Sequence, residues 1–233
     1  HEKYELDKLL ADIPMVIVDQ FIKSSIVEEV KSTNDIEGVR STKKEIRLAL
    51  AKQNTDSENL RLWRVVNKYL SLLNNNLKNF KTCTDIRNFY DEFILKEVVA
   101  DNSENAPDGI IFRKESVSVC TGTDRIIHQG LYPEKLITAA MEHALSILND
   151  ENKPLLVRVT IFHYLFGYIH PFYDGNGRLI RFITSQYLAK ELGGIISIRI
   201  SITIKKQLKK YYQLFEQTNN ELNRGDLTPF IHG

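Results

Sequence analysis

The segment HPFYDGNGRLIR, residues 170–181, brings an imidazole, a carboxylate, two glycines and two arginines into one stretch of chain. An apolar run over residues 155–169 precedes it, and apolar side chains at helical spacing follow it as far as Leu188. The pattern therefore predicts a helix, a loop and a second helix, with the loop at the N-terminus of the second helix.

This loop has the features of an anion-binding site. The first N–H groups of a helix have no partner within the helix, and the helix dipole makes that end positive. Gly175 and Gly177 permit positive φ, and Asn176 tolerates the left-handed region, so consecutive amides can converge on one anion. Arg178 and Arg181 project from one face of the predicted helix, and their planar guanidinium groups suit phosphate oxygens.

Two other residues of the loop carry chemistry that a phosphate site could use. Asp174 would repel bare phosphate, but Mg²⁺ held by one carboxylate together with phosphate oxygens removes that conflict. His170 can take up a proton near neutral pH, which makes it the candidate base. A tight helical connection with a structural histidine is the alternative, but one packing role does not require all these residue types together.

Residues 170–181 resemble the signature of the Fic-domain family, His-x-Phe-x-(Asp/Glu)-Gly-Asn-Gly-Arg-x-x-Arg, and fill every fixed position. The resemblance implies an all-α fold, a Fic-type helical bundle with a short β-hairpin flap. It also implies an autoinhibited protein adenylyltransferase that uses Mg²⁺ and transfers AMP from ATP to a hydroxyl group of a target protein or of the chain itself.

The resemblance gives each signature residue a role. His170 is the base that takes the proton of the attacking hydroxyl, and Asp174 holds Mg²⁺. The residues that bind the phosphates share the loop and the start of the next helix: Gly175, Asn176, Gly177, Arg178 and Arg181. The chemistry implied is mostly positioning and charge stabilisation, as in phosphoryl transfer generally.

A second motif lies upstream, where residues 33–38 read TNDIEG. Its residues alone indicate a helix end with Gly38 as the C-cap, or a turn. The segment resembles the Fic inhibitory motif, (Ser/Thr)-x-x-x-Glu-(Gly/Asn), with Thr33 and Glu37 in its fixed positions. This implies that Glu37 pairs with Arg181 in place of the γ-phosphate, in the class inhibited by an N-terminal helix. A solvated glutamate before a capping glycine is the alternative.

The apolar period changes between residues 112 and 131. Val117 and Val119 alternate with polar residues, and residues 121–124 supply turn chemistry, which predicts a short β-hairpin. The resemblance makes this hairpin the flap, which pairs with an extended segment of the target by β-augmentation. A stabilising surface hairpin is the alternative, and His128 is predicted to be exposed.

The C-terminal part of the chain contains a candidate adenine pocket. The resemblance places such a pocket on a helix ahead of residues 225–230, which read GDLTPF. The residues in that place are Tyr211, Tyr212, Phe215 and Asn219. Aromatic faces stack on adenine and an amide can bind its edge, whereas ordinary amphipathic packing is the alternative.

The remaining chain is predicted to be helical. Leu6, Leu9, Leu10 and Ile13 form a stripe that Pro14 ends or kinks, and Ser41 or Thr42 with Glu45 resembles a capping box. Helical spacing covers residues 16–31, 42–51, 60–73, 84–95, 133–149 and 201–220. We predict an N-terminal helical region over residues 1–100 that contains the inhibitory motif, and a catalytic core over residues 101–233.

Composition limits the other classes of protein. Of 233 residues 42% are hydrophobic, which suffices for one or two domains. Lys and Arg number 31 against 30 Asp and Glu, so the charge gives no case for nucleic-acid or membrane-surface binding. Only two cysteines, no apolar run of membrane length and no signal-peptide pattern predict a cytoplasmic location. Apolar faces on the N-terminal helices leave a homodimer as one expectation.

Other functions remain open on the sequence alone. The same scaffold could transfer phosphate, UMP or phosphocholine, or could remove AMP with Glu37 positioning a water. Gly177 argues against the Doc-type branch, which has Lys at that position. A non-enzymatic ATP-binding interaction module is the alternative from another class, but the presence of His170 and both arginines favours an enzyme.

Overall fold

The computed structural model describes residue 8 and residues 12–51, 61–74, 77–120 and 126–233. Within these residues the chain is mostly helical and contains a two-stranded antiparallel sheet, which confirms the predicted fold class. Three members of the predicted stripe, Leu6, Leu9 and Leu10, lie outside the described residues, as does the predicted turn at residues 121–124. Its fourth member, Ile13, is 40% exposed.

The described helices and strands follow one another in this order: α1 (Met15–Ile36), α2 (Lys43–Ala51), α3 (Trp63–Leu73), α4 (Cys83–Tyr90), a π-helical turn (Asp91–Leu95), α5 (Lys96–Asp101), a 3-10 turn (Ser103–Asn105), β1 (Ser118–Cys120), β2 (Ile126–Gln129), α6 (Glu134–Leu148), α7 (Leu155–Ile169), α8 (Asn176–Leu192), α9 (Gly194–Ser197), α10 (Ile200–Lys206), α11 (Leu208–Asn219), a 3-10 turn (Glu221–Asn223) and α12 (Thr228–His232). The chain forms two compact units, residues 1–78 with 181–206 and residues 79–180 with 207–233. The predicted functional boundary at residue 100 stays a prediction.

In the first unit, α1 packs against α2 and α10. Its core is apolar and consists of Ile26, Val30, Ile46, Leu50, Val66, Tyr69, Leu72, Phe182 and Ile198. The capping box is confirmed with Thr42 as the N-cap, because Glu45 N donates to Thr42 Oγ1 at 3.2 Å and Thr42 N donates to Glu45 Oε2 at 2.7 Å. Helix α1 runs past the predicted end at residue 31, so Thr33 is helical and Glu37 is the C-cap.

In the second unit, α6 and α7 pack along each other, and α12 packs on α7 and α11. The core is aromatic and aliphatic: Phe80, Ile86, Phe89, Phe93, Phe112, Met141, Leu145, Phe162, Phe166 and Phe172. The helix predicted over residues 84–95 passes through the π-helical turn into α5. The helix predicted over residues 201–220 is interrupted at Gln207, which separates α10 from α11.

The predicted hairpin is present in the second unit. Ser118 pairs with Gln129 and Val119 with His128, and the register becomes irregular between Val119 and Cys120. Val117 precedes the strand, but its carbonyl accepts a hydrogen bond from Gly130 N at 3.0 Å and so continues the pairing. None of the helices within the described ranges is both long and apolar enough to cross a membrane.

Candidate active site

His170 follows α7 in a backbone conformation that non-glycine residues rarely adopt. Its φ of 51° and ψ of 64° lie in the left-handed region, and Pro171 then prevents the helix from continuing. Such a conformation costs roughly 1–2 kcal/mol at a residue with a Cβ, and residues held this way cluster at functional sites. The imidazole therefore lies at a sharp corner between two helices, as the sequence predicts.

The imidazole of His170 has a contact that favours one tautomer. Its Nδ1 lies 3.4 Å from the carbonyl oxygen of Gly167. Because a carbonyl oxygen can only accept a hydrogen bond, this contact favours hydrogen on Nδ1 of the neutral ring. The basic lone pair is then on Nε2.

The loop after His170 is held by one asparagine. Asn176 is 3% exposed, accepts a hydrogen bond from Phe172 N at 3.0 Å, and donates from Nδ2 to Phe172 O at 2.7 Å. The ring of Phe172 is buried and stacks on Tyr90, with ring centroids 3.8 Å apart. The oxygen and the nitrogen of the Asn176 side-chain amide are therefore both used to close the loop.

Tyr90 supports the same loop from α4. Its hydroxyl donates to the carbonyl oxygen of Asp174 at 3.1 Å. Burial, and then the nearby charge of Asp174, raises the pKa of Tyr90 well above its usual value, so the hydroxyl keeps its hydrogen and remains a donor. No local sequence pattern indicates this role for Tyr90.

Position 175 requires a glycine for two reasons. Its φ is +81°, and a Cβ there would lie 3.2 Å from Ile94 Cγ2 and 3.3 Å from Tyr90 Cε2. The expectation of positive φ at Gly177 is wrong, because Gly177 is the second residue of α8 and lies in its first turn. The loop thus needs one glycine with positive φ, Gly175, and α8 begins at the next residue.

The amides at the start of α8 differ in what they bind. Gly175 N donates to the Asp174 side chain. Within the described part of the chain, the backbone N–H groups of Asn176 and Gly177 have no acceptor. They are the first amides of a 17-residue helix, where the dipole favours an anion.

Arg178 is buried between two carboxylates. Its side chain is 3% exposed, and Nη2 donates to Asp174 Oδ2 at 3.1 Å, while Nη1 lies 3.9 Å from Glu97 Oε2. Its Nε is buried and has no hydrogen-bond acceptor among the described residues. A buried guanidinium N–H and two helix-start amides that have no acceptor among the described residues are donors of the kind that can bind an anion.

The carboxylate of Asp174 suits Mg²⁺ only together with a phosphate. Its side chain is 31% exposed, and each of its oxygens already accepts one hydrogen bond. No cluster of three or more His, Cys, Asp or Glu residues within the described ranges could hold a metal ion by itself. One carboxylate completed by phosphate oxygens is a donor set that Mg²⁺ accepts, so the residues fit the ion that the family uses.

In the first unit, Arg181 is bound by residues of α1. It is 1% exposed, and it donates from Nε to Thr33 Oγ1 at 2.9 Å and from Nη2 to Thr33 O at 3.1 Å. Nη2 also lies 2.8 Å from Glu37 Oε1. Thr33 and Glu37, two of the fixed positions of the predicted inhibitory motif, thus both contact this arginine.

Helix α1 is held in place by a buried carboxylate. Glu29 is fully buried and accepts hydrogen bonds from Ser201 N at 2.7 Å and Ile202 N at 3.1 Å, at the start of α10. Burial raises the pKa of Glu29, while these hydrogen bonds oppose the increase. No local sequence pattern indicates this contact, because its partners lie 172 and 173 positions away.

The hairpin is attached to the end of α7. His128 Nε2 donates to Tyr168 O at 2.6 Å, and Leu131 N donates to Ile169 O at 3.1 Å. The prediction that His128 is exposed is wrong, because it is half-buried, and burial lowers its pKa. Val117 and Val119 are each partly exposed.

Arg113 was missed at the sequence level. It is fully buried beside His170 and donates to three backbone carbonyls, those of His170, Leu131 and Glu115. Those acceptors are 57, 18 and 2 positions away in the chain, so no local pattern could have identified it.

The residues predicted to bind adenine form part of an aromatic cluster. Phe215 has its ring centroid 4.7 Å from that of Phe230 and 5.2 Å from that of Tyr211. Asn219 Oδ1 accepts a hydrogen bond from Tyr164 at 2.7 Å, and burial raises the pKa of Tyr164 to about 12. Tyr212 is 40% exposed. The cluster is well packed, and its adenine-binding role stays a prediction.

The fold and this loop define a mostly helical protein in which a histidine follows one helix and a glycine-containing turn opens the next. Residues 84–188 match the Fic/DOC family. This stretch includes the hairpin and the signature, whereas residues 33–38 lie outside it. The fold of this family serves nucleotidyl or phosphate transfer and typically uses a nucleotide and Mg²⁺.

Two solved structures resemble the chain over 99% of its length. A Fic family protein from Desulfovibrio desulfuricans G20 is similar with a TM-score of 0.71 and 18% sequence identity, over 67% of that protein's chain. A Fic domain containing signaling protein from Bacteroides thetaiotaomicron VPI-5482 is similar with a TM-score of 0.57 and 20% identity, over 88% of its chain. Both likenesses support the Fic-type helical fold.

Proposed function

We propose that the chain is a protein adenylyltransferase that transfers AMP from ATP to a hydroxyl group, and that Glu37 inhibits it. The observation that carries this proposal is a group of donors in the segment after His170 that have no acceptor in the part of the chain that the structure describes: the amides of Asn176 and Gly177 and the buried Nε of Arg178. These donors favour a phosphate next to a basic ring nitrogen, which is the arrangement that attack on phosphorus requires.

In the proposed reaction, His170 Nε2 takes the proton of the attacking hydroxyl. The hydroxyl oxygen forms a bond to the α-phosphorus of ATP, and the bond from that phosphorus to the oxygen bridging to the β-phosphate breaks. Pyrophosphate leaves with those electrons. The hydrogen on Nδ1, favoured by Gly167 O, keeps the ring in the tautomer that can act as a base.

The charges of α8 would stabilise the phosphates. Gly175, Asn176 and Gly177 line the turn, and Arg178 and Arg181 follow on the same helix for the β- and γ-phosphates. Asp174 would hold Mg²⁺ against the phosphate oxygens, where the ion neutralises charge that Asp174 would otherwise repel. Because Arg178 already contacts Asp174, bringing in a phosphate exchanges one anionic partner of the guanidinium for another.

Inhibition by Glu37 follows from its contact with Arg181. A carboxylate at 2.8 Å from Nη2 occupies the guanidinium that would bind the γ-phosphate, and like charges repel. ATP could still bind through the amides and Arg178, but with its terminal phosphate displaced. We propose that the chain therefore belongs to the class that an N-terminal helix inhibits.

The flap and the C-terminal aromatics complete the proposal. The chain beside Val117 and Val119 would pair with an extended target segment and bring its hydroxyl towards His170. Tyr211, Tyr212, Phe215 and Asn219 would face the adenine, which is supported by their clustering on α11 near Phe230.

The test is intact-mass spectrometry of the Glu37→Gly chain incubated with ATP and Mg²⁺. We expect an adduct with the mass of AMP on a hydroxyl residue, label retained from α-labelled but not γ-labelled ATP, and no adduct in Glu37→Gly with His170→Ala. The double variant should still bind ATP by calorimetry, since His170 is not needed for the phosphates. A phosphate-sized adduct that retains the γ-label would instead identify a kinase-like transfer.

A further inference from the structure

Arg113 makes an unusual set of contacts for a fully buried arginine. Nε donates to His170 O at 2.9 Å, Nη2 donates to Leu131 O at 2.8 Å, and Nη1 donates to Glu115 O. Within the described part of the chain its guanidinium hydrogen-bonds backbone carbonyls and no carboxylate. Burial without an acid partner is costly for a charge, so the side chain must be held by the geometry of its three acceptors.

The three acceptors belong to different parts of the second unit. Glu115 lies before β1, Leu131 lies after β2, and His170 is the candidate base. One guanidinium therefore joins both ends of the hairpin to the carbonyl of His170. That carbonyl belongs to the residue with left-handed backbone, whose orientation depends on such contacts.

Neighbouring contacts support the same attachment. Arg113 N donates to Pro171 O at 3.3 Å, so its backbone pairs with the loop as its side chain does. Tyr173 accepts a hydrogen bond from Glu115 N at 3.0 Å and donates to Asp108 Oδ1 at 2.9 Å, which fixes the first end of the hairpin.

Gly130 shows how closely these parts fit. A Cβ at Gly130 would lie 2.5 Å from Arg113 Nη2, 3.0 Å from His170 Cβ and 3.1 Å from Val117 Cγ1. Only a residue without a side chain allows the hairpin, the guanidinium and His170 to approach in this way.

We propose that Arg113 is a positioning residue that fixes the base of the hairpin to the backbone of His170, so that the target's hydroxyl and the imidazole are brought to one geometry. The catalytic part of this proposal rests on the proposed function. The mechanical part, that Arg113 holds the hairpin to His170, does not depend on it. Arg113 acts through His170 and the hairpin and does not itself touch the nucleotide.

The experiment compares Arg113→Lys with Arg158→Lys. Arg158 is a matched control, because it is a half-buried arginine of the same unit that donates to a backbone carbonyl, Leu148 O, away from the loop. Lysine keeps the charge but cannot reach three carbonyls at once. Native-state hydrogen exchange is measured at the amides of Gly130 and Leu131, which donate to Val117 O and Ile169 O.

We expect exchange at Gly130 and Leu131 to become about tenfold faster or more in Arg113→Lys, the factor expected from loss of one hydrogen bond to a charged donor. Arg158→Lys should leave both rates unchanged. Equal rates in the two variants, or faster exchange spread evenly over all helices of Arg113→Lys, would overturn the proposal.

Gly130→Ala is the second variant, and by itself it tests the proposal even where Arg113→Lys does not fold. Its added methyl group pushes Arg113 and His170 apart, so it should open the same two amides. Combined with Arg113→Lys it should add little, because both changes break one contact. Additive effects, or unchanged exchange in Gly130→Ala, would contradict a shared role.

The catalytic part is tested in the Glu37→Gly background with ATP and Mg²⁺. We expect Arg113→Lys to lower kcat for self-modification by about tenfold or more while KM for ATP stays constant, because the base is misplaced but the phosphate site is intact. A raised KM with unchanged kcat would refute a positioning role. If Glu37→Gly itself forms no adduct, the proposed function fails, whereas the hydrogen-exchange result still decides whether Arg113 holds the hairpin.

Discussion

Replacing Glu37 by glycine should raise ATP-dependent self-modification by about 10- to 150-fold, the range that release of one charge-assisted hydrogen bond gives. The perturbation removes the carboxylate that lies 2.8 Å from Arg181 Nη2. Thr33 continues to accept hydrogen bonds from Nε and Nη2, so the guanidinium keeps its place while its anionic partner is lost. The γ-phosphate can then become that partner.

The magnitude follows from the burial of the ion pair. The side chain of Arg181 is 1% exposed and that of Glu37 is 26% exposed, so water and salt screen the attraction between them only at the Glu37 carboxylate. A hydrogen bond between charged groups contributes about 1.5–3 kcal/mol, and about 1.4 kcal/mol corresponds to a factor of ten. In the wild-type chain, ATP can bind in the reactive pose only if it displaces Glu37, which costs the free energy of this hydrogen bond. In Glu37→Gly this cost is absent.

The assay is the initial rate of AMP-sized adduct formation at saturating Mg²⁺. Glu37→Gln should give a rate between those of the wild type and Glu37→Gly, since the amide still accepts a hydrogen bond from Arg181 but does not repel phosphate. Glu28→Gln is the matched control, because Glu28 lies on α1 and pairs with Lys43 instead of Arg181. It should leave the rate unchanged.

A thermal melt supplies an independent check. Without nucleotide, Glu37→Gly should be less stable than the wild type by about 1–3 kcal/mol, since a buried guanidinium loses its carboxylate. ATP with Mg²⁺ should raise the Tm of Glu37→Gly more than that of the wild type, because only the variant offers Arg181 to the ligand. Equal transfer rates in Glu37→Gly and the wild type, both above zero, would refute the inhibitory role of Glu37.

Three other predictions each test a single residue. Asn176→Asp loses the donor to Phe172 O, so we expect the free energy of unfolding, measured with urea, to fall by about 1–3 kcal/mol. Burial raises the pKa of Glu29 above its usual 4.5, so the stability of the wild type should decline as pH rises from 4.5 through the folded-state pKa. Glu29→Gln lacks this titration, so urea titrations should show that its stability relative to the wild type increases over the same pH range. Burial raises the pKa of Cys83 to about 11, so peptide mapping at about pH 8 should find it alkylated some hundred-fold more slowly than a free thiol.

The parts of the site that the sequence predicts are those made by neighbouring residues. The signature lies in one unbroken segment, so the helix end at His170, the glycine turn and the start of α8 follow from local preferences. The capping box at Thr42 and Glu45 is predictable for the same reason. Gly177 was misjudged because two glycines near a helix start look alike in sequence, and only the observed start at Asn176 distinguishes them.

The parts that could not be predicted depend on residues far apart in the chain. Arg113 finds an acceptor 57 positions away, and Glu29 finds its partners 172 and 173 positions away. The spacing of apolar residues along the sequence identifies such residues only as polar positions and does not reveal their partners. The contact of Arg181 with Glu37 was expected solely because the upstream motif resembles a known inhibitory segment. The contact of Arg181 with Thr33 spans 148 positions and was not predicted.

The two arginines of α8 are held by different partners, and in the proposed function this difference would let one helix both bind a nucleotide and be inhibited. Arg178 contacts Asp174 and Glu97 and keeps one buried N–H without an acceptor among the described residues. Arg181 contacts Thr33 and Glu37, both contributed by α1 and its C-cap. A change in α1 therefore alters the partner of Arg181 and leaves the contacts of Arg178 in place. In the proposed mechanism inhibition then changes where the terminal phosphate goes, while the amides that hold the nucleotide stay ready in both states.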